Sequence, residues 1–386
     1  MLRKIAHVIV DDKFIDMAFR EFEAVAPGQN QLVMLGDYRP LHYVRSAEVG
    51  FYSTKQARRF IRSDECAAIV FHSLYVGFLP LLQDIPANKK VFWLGWGYDY
   101  YDRLLSGAYP EGLFLPRTRS LLPDARKRGA IRAVASACKT GIKRALARST
   151  QDELLSRVDY FSPVIDSDYE MAIQLNPWFR PRYVTWNYGT MEDDLSSDEL
   201  ASKLLGDNIL VGNSAAPENN HIEVFELLER NVELTDRQII VPLSYGDESY
   251  KEKIIIYGQA ILGNRFVPVP DFLDKESYFE LLQSCGYVFM NHLRQQALGN
   301  ICIMMLKGAK IYMNSQSPLY RWLIAKGGLI QSIDSLAKRA EGAKHILRPH
   351  CEEHRFANAE VIKGHWGQEI QRAKTRRLVD IAMGIT

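Results

Sequence analysis

The stretch Ile209–Glu229, ILVGNSAAPENNHIEVFELLE, decides the fold of this chain. It opens with a short apolar run, passes through a polar loop that starts at Gly212, and enters a helical pattern near Asn219. A strand, a loop and a helix in this order form the repeating unit of a parallel sheet. The loop glycine lets a ligand approach the backbone, and Ser214 with the following amides can bind an anion at a helix N-terminus. The alternative is an ordinary strand–turn–helix with an Asn cap.

The same alternation of strand and helix patterns runs through the whole sequence. Runs rich in β-branched and aromatic residues predict strands at Ala6–Val10, Gln31–Leu35, Ala67–His72, Lys90–Trp96, Tyr160–Val164, Asn208–Gly212, Arg237–Pro242, Arg265–Pro268, Tyr287–Met290 and Lys310–Met313. Helical spacing predicts helices at Met17–Ala26, Thr54–Ser63, Asn220–Asn231, Tyr250–Leu262, Lys275–Ser284 and Gly299–Lys307. Strands that are apolar almost throughout and alternate with helices predict parallel sheets covered on both faces, and hence the α/β class.

The predicted elements fall into two successive sets, separated by the polar and acidic stretch Trp186–Leu205. We therefore predict an N-terminal Rossmann-like domain over 1–190, a second one over 206–350, and C-terminal helices over 351–386. Packing of these last helices against the first domain is one option. Two such domains would face a cleft, and ligands of open α/β sheets lie beyond the carboxyl ends of the strands.

The composition is that of a soluble globular protein with a large core. Of the 386 residues, 47% are apolar and 24% charged, which excludes a disordered chain, a collagen-like fibre and a small stapled scaffold. The net charge of +2 excludes a chain that is basic throughout and binds nucleic acid. The first residues, which end in Asp11 and Asp12, predict a strand and not a secretory signal. No apolar run approaches the roughly 20 residues that span a bilayer.

The cysteines favour a reducing compartment. They are scattered, odd in number and without a CxxC pair, which argues against a disulfide framework or a zinc knuckle. They are Cys66, Cys138, Cys285, Cys302 and Cys351. We therefore expect a cytoplasmic protein whose membrane contact, if any, is made from the surface.

A second loop in the second half of the chain also follows a predicted strand and carries polar residues. In IIVPLSYGDESYKEKI, Ile239–Ile254, a strand ends in a turn with Ser244, Tyr245 and Gly246, and a helix begins near Tyr250. Neighbouring strand ends would present hydroxyls and amides to one site, although a plain capped turn is an equal alternative.

The stretch NHLRQQALGNICIMMLKGAKIYMN, Asn291–Asn314, is the most informative one. An arginine and two amide side chains precede the N-terminus of an apolar helix, a combination that suits a diphosphate because it joins a charge clamp to free amides. A solvated turn with a surface arginine is the alternative. The residues concerned are Arg294, Gln295, Gln296, Gly299 and Asn300.

In the first half, two strand ends carry groups able to accept a proton. His72 ends the run VFHSLYVGFLP, and Asp99 follows Gly95 and Gly97 in VFWLGWGYDYYDRL. Either side chain could act as a general base in a cleft. A lone histidine is more often structural, whereas paired glycines weaken a strand unless a close approach requires them.

Several nucleotide-binding signatures are missing from the sequence. There is no GxGxxG or GxxxxGK[ST] motif and no convincing DxD at a strand end, and the adjacent acid pairs Asp193-Asp194 and Asp11-Asp12 are poor metal ligands. A leaving diphosphate can instead be stabilised by fixed cations and amides. We therefore predict no metal and no cofactor, with Arg294 and the helix N-terminus at Gly299 and Asn300 in that role.

The segments LVGNS, NNHIEVFELL, IVPLSYG and above all HLRQQALGNICIMMLKGAKIYMN resemble one bacterial family. It is the TDP-N-acetylfucosamine:lipid II N-acetylfucosaminyltransferase family of enterobacterial common antigen assembly. The resemblance covers about Asn208–Leu323, and FHSLYVGFLPLL and FWLGWGYDYYDRL echo the family in the first half. Ser244, Ala297 and Asn300 depart from it, since they stand where the family has Gly, Gly and Thr.

The resemblance implies a GT-B fold, with two Rossmann-like domains facing an interdomain cleft and the nucleotide sugar on the C-terminal one. It implies transfer of 4-acetamido-4,6-dideoxygalactose from a dTDP donor to a polyprenyl-diphosphate-linked saccharide at the cytoplasmic face of the inner membrane. Asp99 and His72 are then candidates for acceptor activation, and Arg294 for stabilising the leaving group. The donor-site candidates are Gly212, Asn213, Ser214, Ser244, Tyr245, Gly246, Tyr250, Gln295, Gln296, Gly299, Asn300 and Asn314.

Two other functions remain compatible with the sequence. One is a catalytically silent, nucleotide-binding membrane scaffold of a polysaccharide-assembly complex. The other is a sugar-nucleotide epimerase with a GT-B-type fold. Hydrolysis of a donor without acceptor would favour a transferase over the scaffold, and isomerisation of the sugar would indicate the epimerase.

A basic segment lies between Phe114 and Ser149. It contains ten Lys or Arg residues and one acid, Asp124, and apolar residues recur among them at helical spacing. Such a basic amphipathic pattern favours contact with an anionic membrane surface, worth about 1 kcal/mol per basic residue near the surface. A solvated helix face is the alternative. No aromatic residue follows Phe114 in this segment, which argues against nucleic acid.

We expect that replacing Arg126, Lys127, Arg128, Lys143 and Arg144 with Gln releases the protein from anionic liposomes. The attraction is screened over a Debye length of about 8–10 Å, so binding of the unmodified protein weakens as salt rises. Co-sedimentation of both forms at low and high salt measures this. Equal sedimentation on anionic and neutral vesicles would contradict the membrane assignment.

Overall fold

The computed structural model of the chain describes residues 2–46, 48–122, 151–194, 205–232, 234, 236–337 and 347–385. These residues form two compact units. Unit 1 comprises the described residues of Met1–Pro110, Ala125–Asp193 and Trp366–Thr386, and unit 2 those of Glu111–Asp124 and Asp194–His365.

The elements follow one another as strand and helix in both units. The strands are β1 Lys4–Ile9, β2 Asn30–Leu35, β3 Val49–Tyr52, β4 Cys66–His72, β5 Lys90–Leu94, β6 Tyr160–Ser162, β7 Arg182–Tyr183, β8 Asn208–Val211, β9 Ile239–Pro242, β10 Phe266–Val269, β11 Cys285–Met290, β12 Lys310–Met313 and β13 Gln331–Ser332. The helices are α1 Ile15–Val25, α2 Thr54–Arg62, α3 Leu79–Leu82, α4 Pro116–Leu121, α5 Asp166–Leu175, α6 Met191–Asp194, α7 His221–Asn231, α8 Glu248–Leu262, α9 Lys275–Gln283, α10 Leu298–Leu306, α11 Pro318–Ala325, α12 Ile333–Ala337, α13 Glu352–Trp366 and α14 Gln368–Met383.

Unit 1 is built on a parallel sheet in the order β3-β2-β1-β4-β5-β6-β7. Its central strands are buried along almost their whole length; every residue of β4 is buried. Apolar clusters cover the sheet, one around Phe71 and Trp93 and another around Phe22 and Trp186. Burial on both faces explains why these strands carry continuous apolar runs and not an alternating pattern.

Unit 2 repeats the architecture with a parallel sheet in the order β10-β9-β8-β11-β12-β13. One apolar cluster packs α7 and α8 against this sheet through Phe225, Leu228 and Ile254. In each unit the chain runs outward from a central strand, returns across it and continues to the other side. The predicted α/β class with parallel sheets is confirmed.

Three short strands of the structure, β3, β7 and β13, are not among the strands that the sequence predicts. Each lies at an edge of its sheet and has two to four residues, none of them fully buried. Edge strands of this length lack the continuous apolar run by which the central strands were recognised.

The structure groups residues 111–122, which the predicted first domain included, with unit 2, and it groups the last helix with unit 1. Residues 111–122 lie in unit 2, where the Leu115 amide donates to Asn220 Oδ1 at 2.8 Å and the Thr118 hydroxyl to Glu223 Oε2 at 2.7 Å. Helix α14 lies in unit 1, where Arg372 pairs with the buried carboxylate of Glu21 at 3.1 Å. Apolar packing adds to these polar contacts, since Leu378 and Val379 of α14 join the cluster around Phe22 and Trp186. A local hydrophobicity pattern marks such an apolar face but does not specify the sheet that it packs against.

The predicted linker begins inside unit 1. Trp186 is buried, and its indole nitrogen donates to Thr375 Oγ1 at 2.9 Å. Among the described helices, none is both long and apolar enough to cross a bilayer. The basic segment is described only up to 122, where Arg117 pairs with Glu226 and Arg119 with Glu111. Its eight other cations, including the five predicted to face a membrane, lie outside the described residues.

A buried carboxylate joins α5 to the loop after β5. Asp168 is fully buried and accepts hydrogen bonds from the hydroxyls of Tyr100, at 2.7 Å, and Tyr101, at 3.0 Å. Tyr100 in turn packs against Gly95, where an added Cβ would lie 2.7 Å from its ring. The close approach that the paired glycines suggested therefore exists at Gly95.

We expect Asp168→Ala to lower the free energy of unfolding by about 2–6 kcal/mol, because two buried hydroxyls lose their acceptor at about 1–3 kcal/mol each. Urea denaturation followed by fluorescence and circular dichroism measures the loss. Glu170→Ala, at an exposed position of the same helix, is the matched control and should change stability by less than about 0.5 kcal/mol. Equal stability of the two variants would contradict the role of Asp168.

Candidate functional site

The second sheet reverses its strand order between β8 and β11. After β8 the chain continues to β9 on one side of the sheet order, and after β11 it continues to β12 on the other side. The loops that follow these two neighbouring strands therefore diverge and leave an opening between them. Ligands of doubly wound sheets bind at such a point. The loops that begin at Gly212 and Asn291 follow these two strands, as the sequence analysis predicted for a donor site.

Asn219 ties the two loops together. Its side-chain oxygen accepts hydrogen bonds from the Asn213 amide at 3.0 Å and from His292 Nε2 at 2.8 Å. Its side-chain nitrogen donates to the carbonyls of Ser214 and Ala216 at 3.0 and 2.9 Å. The sequence analysis treated Asn219 as the start of a helix, whereas the structure makes it the link between the strand ends.

A second set of amide side chains joins the next two strand ends. Asn220 donates to the carbonyl of Asn291 at 3.0 Å, and Asn314 donates to Asn291 Oδ1, also at 3.0 Å. All three side chains are buried. The predicted Asn314 therefore borders the site as a support for Asn291, at the end of β12.

The three predicted loops meet in one hydrogen-bonded row. Asn213 Nδ2 donates to the hydroxyl of Tyr245 at 2.7 Å, and Gln296 Nε2 donates to Asn213 Oδ1 at 3.1 Å. Tyr245 is exposed and Gln296 is nine-tenths buried. Within the described residues Gln296 Oε1 has no hydrogen-bond partner, so the row ends in a buried acceptor that a ligand can use.

Arg294 lies beside this row at the end of β11. Its side chain is 15% exposed, and its Nε is 4.0 Å from Glu218 Oε1, a long separation for an ion pair. Its backbone carbonyl accepts a hydrogen bond from Ser317 Oγ at 3.5 Å. Helix α10 begins at Leu298, directly after this loop, so a cation and a helix N-terminus lie close together in the chain.

The remaining donor candidates take different roles. Tyr250 is buried against His221 at 3.2 Å and belongs to the core, so it does not line the site. Asn300 donates to the hydroxyl of Tyr278 at 2.7 Å. An added Cβ at Gly246 would lie 2.5 Å from the backbone of Ala215, so this glycine allows the first two loops to pair. Ser244 is half-buried, Gln295 is buried, and an added Cβ at Gly299 meets open space.

Two buried imidazoles lie beneath the loop after β8. Burial lowers the pKa of His221 to about 3 and that of His292 well below its usual value, so both rings are neutral at pH 7. His221 Nε2 and His292 Nδ1 have no hydrogen-bond partner within the part of the chain that is described. An added Cβ at Gly212 would lie 2.6 Å from His221 Nε2 and 2.7 Å from Asn219 Oδ1, so only glycine fits there.

In unit 1, His72 is part of a buried chain of hydrogen bonds. Asn30 Nδ2 donates to Glu23, so Asn30 Oδ1 accepts from His7 Nε2 at 3.1 Å. His7 Nδ1 then accepts from His72 Nε2 at 2.9 Å, and His72 Nδ1 accepts from the Tyr188 hydroxyl at 2.9 Å. Burial lowers the pKa of both rings, that of His7 to about 4. The predicted role of His72 as a base does not fit, because its one lone pair is already used.

Asp99 is also committed inside the protein. One carboxylate oxygen accepts from the Leu74 amide at 2.9 Å and the Trp93 indole at 2.7 Å, and the other accepts from the Trp96 amide at 2.8 Å. These bonds hold the ends of β4 and β5 together. Burial raises the pKa of Asp99, but the carboxylate is enclosed by its own donors. Its predicted contact with an acceptor does not fit this geometry either.

Three residues other than glycine adopt the left-handed backbone region among the described residues. They are Ser73, Asn220 and Ala297, with φ of 63°, 50° and 60°. Each lies just after a strand that borders the reversal of strand order in its sheet, or at the N-terminus of the helix that follows. Such conformations are unfavourable and persist where the surroundings impose them, often at functional sites. The conformation of Ala297 explains why a glycine suits that position in the family that the sequence resembles.

Comparison with protein families matches part of the chain. Residues 180–340 match the model of a family described as 4-alpha-L-fucosyltransferase, glycosyl transferase group 56. The match contains all three loops of the unit 2 site.

Solved structures share the fold over the whole chain. Sucrose-phosphate synthase from Thermosynechococcus elongatus has a TM-score of 0.60 at 10% identity and covers 100% of both chains. HepE of Anabaena, in complex with UDP and glucose, has a TM-score of 0.58 at 9% identity and covers 100% of both chains. WaaG, a glycosyltransferase of lipopolysaccharide biosynthesis, has a TM-score of 0.56 at 8% identity and covers 98% of this chain and 100% of its own. These matches confirm the predicted GT-B fold.

We expect Arg294→Ala to weaken the binding of dTDP about 10–100-fold, because a hydrogen bond to a charged group contributes about 1.5–3 kcal/mol. Titration calorimetry with dTDP measures the affinity. Arg321→Ala, which removes an exposed arginine of α11 in the same unit, is the matched control. Equal affinities of the two variants would remove Arg294 from the site.

Proposed function

Because this chain is a glycosyltransferase with the GT-B fold, we propose that it transfers a 6-deoxyhexose from a dTDP-sugar to a polyprenyl-diphosphate-linked saccharide. The sugar we propose is 4-acetamido-4,6-dideoxygalactose. The scaffold and epimerase interpretations of the sequence are set aside because the family matched over residues 180–340 is described by glycosyl transfer.

The observation that carries the donor assignment is the row Gln296–Asn213–Tyr245 beside Arg294. It offers a buried acceptor, an exposed aromatic ring and a cation at the carboxyl ends of three neighbouring strands. A leaving diphosphate gains negative charge as the glycosidic bond breaks, and a fixed cation stabilises that charge. A base can stack on the ring of Tyr245, while Gln296 Oε1 can accept from an N–H of the nucleotide.

The choice of sugar rests on two sources that agree. The family matched over residues 180–340 is described by fucosyl transfer, and fucose is a 6-deoxyhexose. The RQQ loop resembles that of enzymes which transfer the 4-acetamido derivative. The structure of HepE with UDP and glucose supports a nucleotide sugar as the donor class.

The acceptor assignment rests on the basic segment Phe114–Ser149. Its excess of nine positive charges, ten cations against one acid, suits an anionic surface where a lipid-linked saccharide is anchored. We therefore propose that the enzyme works as a peripheral protein at the cytoplasmic face of the inner membrane.

We expect dTDP and dTDP-sugars to stabilise the protein more than the UDP and GDP compounds do. A ligand at 100 times its Kd raises the free energy of unfolding by about 2.7 kcal/mol. A thermal-shift panel of the three nucleotide classes measures this, and Gln296→Ala should reduce the shift in Tm that dTDP causes because the substitution removes the buried acceptor.

A transfer assay completes the test. Purified polyprenyl-diphosphate saccharide and radiolabelled donor should give a labelled lipid product. A GDP-sugar as the best ligand, or transfer only to a soluble acceptor, would contradict the proposal.

A further inference from the structure

The first sheet also reverses its strand order, between β1 and β4. The residues that follow these strands are Asp11 and Asp12 after β1 and Ser73 after β4. Ser73 has the left-handed φ of 63°, and its hydroxyl is 2.8 Å from that of Tyr98. This opening carries several acids, and their hydrogen bonds distinguish structural from available carboxylates.

Asp11 holds a loop in place. Its two oxygens accept from the backbone amides of His42, Tyr43 and Val44 at 2.6, 3.0 and 3.0 Å. Burial alone would raise the pKa of Asp11, but the three amides outweigh it and lower the pKa. Asp16 accepts in the same way from the amides of residues 45 and 46. Asp11 is therefore an ionised structural group, and Asp16 is a second carboxylate that holds the same loop.

Asp12 differs from these neighbours. Its Oδ1 accepts one hydrogen bond, from the Phe14 amide at 3.0 Å, which fixes the orientation of the carboxylate. Among the described residues nothing donates to Oδ2, and the side chain is only half-buried. Asp12 therefore combines a fixed position with a free lone pair at the opening of the sheet.

The surroundings of Asp12 favour its protonated form. Burial raises its pKa, the Phe14 amide and Lys13 oppose the shift, and the charge of Asp11 adds to it. Its own charge in turn contributes to the raised pKa of Tyr98 and of Tyr188, for both of which burial is the main cause. A carboxylate with a raised pKa is a better proton acceptor than an exposed one.

We propose that Asp12 is the general base that takes the proton from the acceptor hydroxyl. The inference requires only that the enzyme transfers sugar to a hydroxyl, and it rests on the proposed function for the identity of that acceptor. His72 then has a different role: its lone pair accepts the Tyr188 O–H and so holds the Tyr188 ring at the opening. His72 is a positioning residue.

The step balances as a single displacement. A lone pair of the acceptor oxygen forms the bond to the anomeric carbon, and the bond from that carbon to the diphosphate oxygen breaks. The bonding electrons leave with the nucleoside diphosphate, and the acceptor proton moves to Asp12 Oδ2. One displacement inverts the configuration at the anomeric carbon.

The test compares Asp12→Asn with wild type. The Asn side chain can still accept from the Phe14 amide, so the fold should persist. We expect kcat to fall about 10²–10⁴-fold while the thermal shift by dTDP is unchanged, because the base acts on the acceptor. Wild-type kcat/KM should fall at acid pH as Asp12 is protonated. The pH profile of Asp12→Asn should lack this acidic limb. Asp12→Glu should restore part of the activity.

Two controls separate the alternatives. Asp37→Asn removes the same charge from an exposed position after β2 and should leave kcat unchanged. A folded His72→Gln variant should keep the acidic limb. Loss of that limb in His72→Gln alone, full activity of Asp12→Asn, or a product of retained configuration by NMR would overturn the inference. Wild type that transfers sugar to a different acceptor would contradict the proposed function and leave the Asp12 comparison valid.

Discussion

The side chain of Asn219 is the interaction on which the donor site depends. Its oxygen accepts from the loop after β8 and from His292 after β11, and its nitrogen fastens two carbonyls of its own loop. Two strands that diverge into separate helices leave their terminal amides and carbonyls unpaired, and buried groups of this kind must find partners. One primary amide supplies both kinds of partner. The loops around it, and the residues that they carry, take their places from this constraint.

Unit 1 solves the same problem with imidazoles instead of amides. His7 and His72 cross from β1 to β4 in a chain that ends at the Tyr188 hydroxyl. Burial keeps both rings neutral, so each can donate from one nitrogen and accept with the other. The chain has a direction because Asn30 presents its oxygen at one end. In both units the support beneath the opening is therefore buried. Among the described residues, Asp12 Oδ2 in unit 1 and Gln296 Oε1 in unit 2 remain as acceptors to which nothing donates.

The distinction between supporting and available groups changes which residues carry the chemistry. His72 and Asp99 have the right chemical types and lie at or just after strand ends. However, the one lone pair of the neutral His72 ring accepts the Tyr188 hydroxyl, and both carboxylate oxygens of Asp99 accept hydrogen bonds inside the protein. Asp12 is an adjacent acid in a loop, a pattern that by itself suggested only a poor metal site. The hydrogen bond from the Phe14 amide to Asp12 Oδ1 fixes the carboxylate, and Oδ2, to which no described residue donates, can take a proton.

The sequence by itself determined the α/β class, the central strands and the three loops of the donor site. Continuous apolar runs mark strands buried on both faces, and the loops are local patterns of fewer than ten residues. Only the tertiary structure decided the membership of 111–122 and α14, the short edge strands, and the roles of Asn219, Tyr250, His72 and Asp99. Each of these depends on a hydrogen bond or packing contact between residues far apart in the chain. Such contacts arise from the three-dimensional arrangement of the strands, and a local pattern of residue types does not contain them.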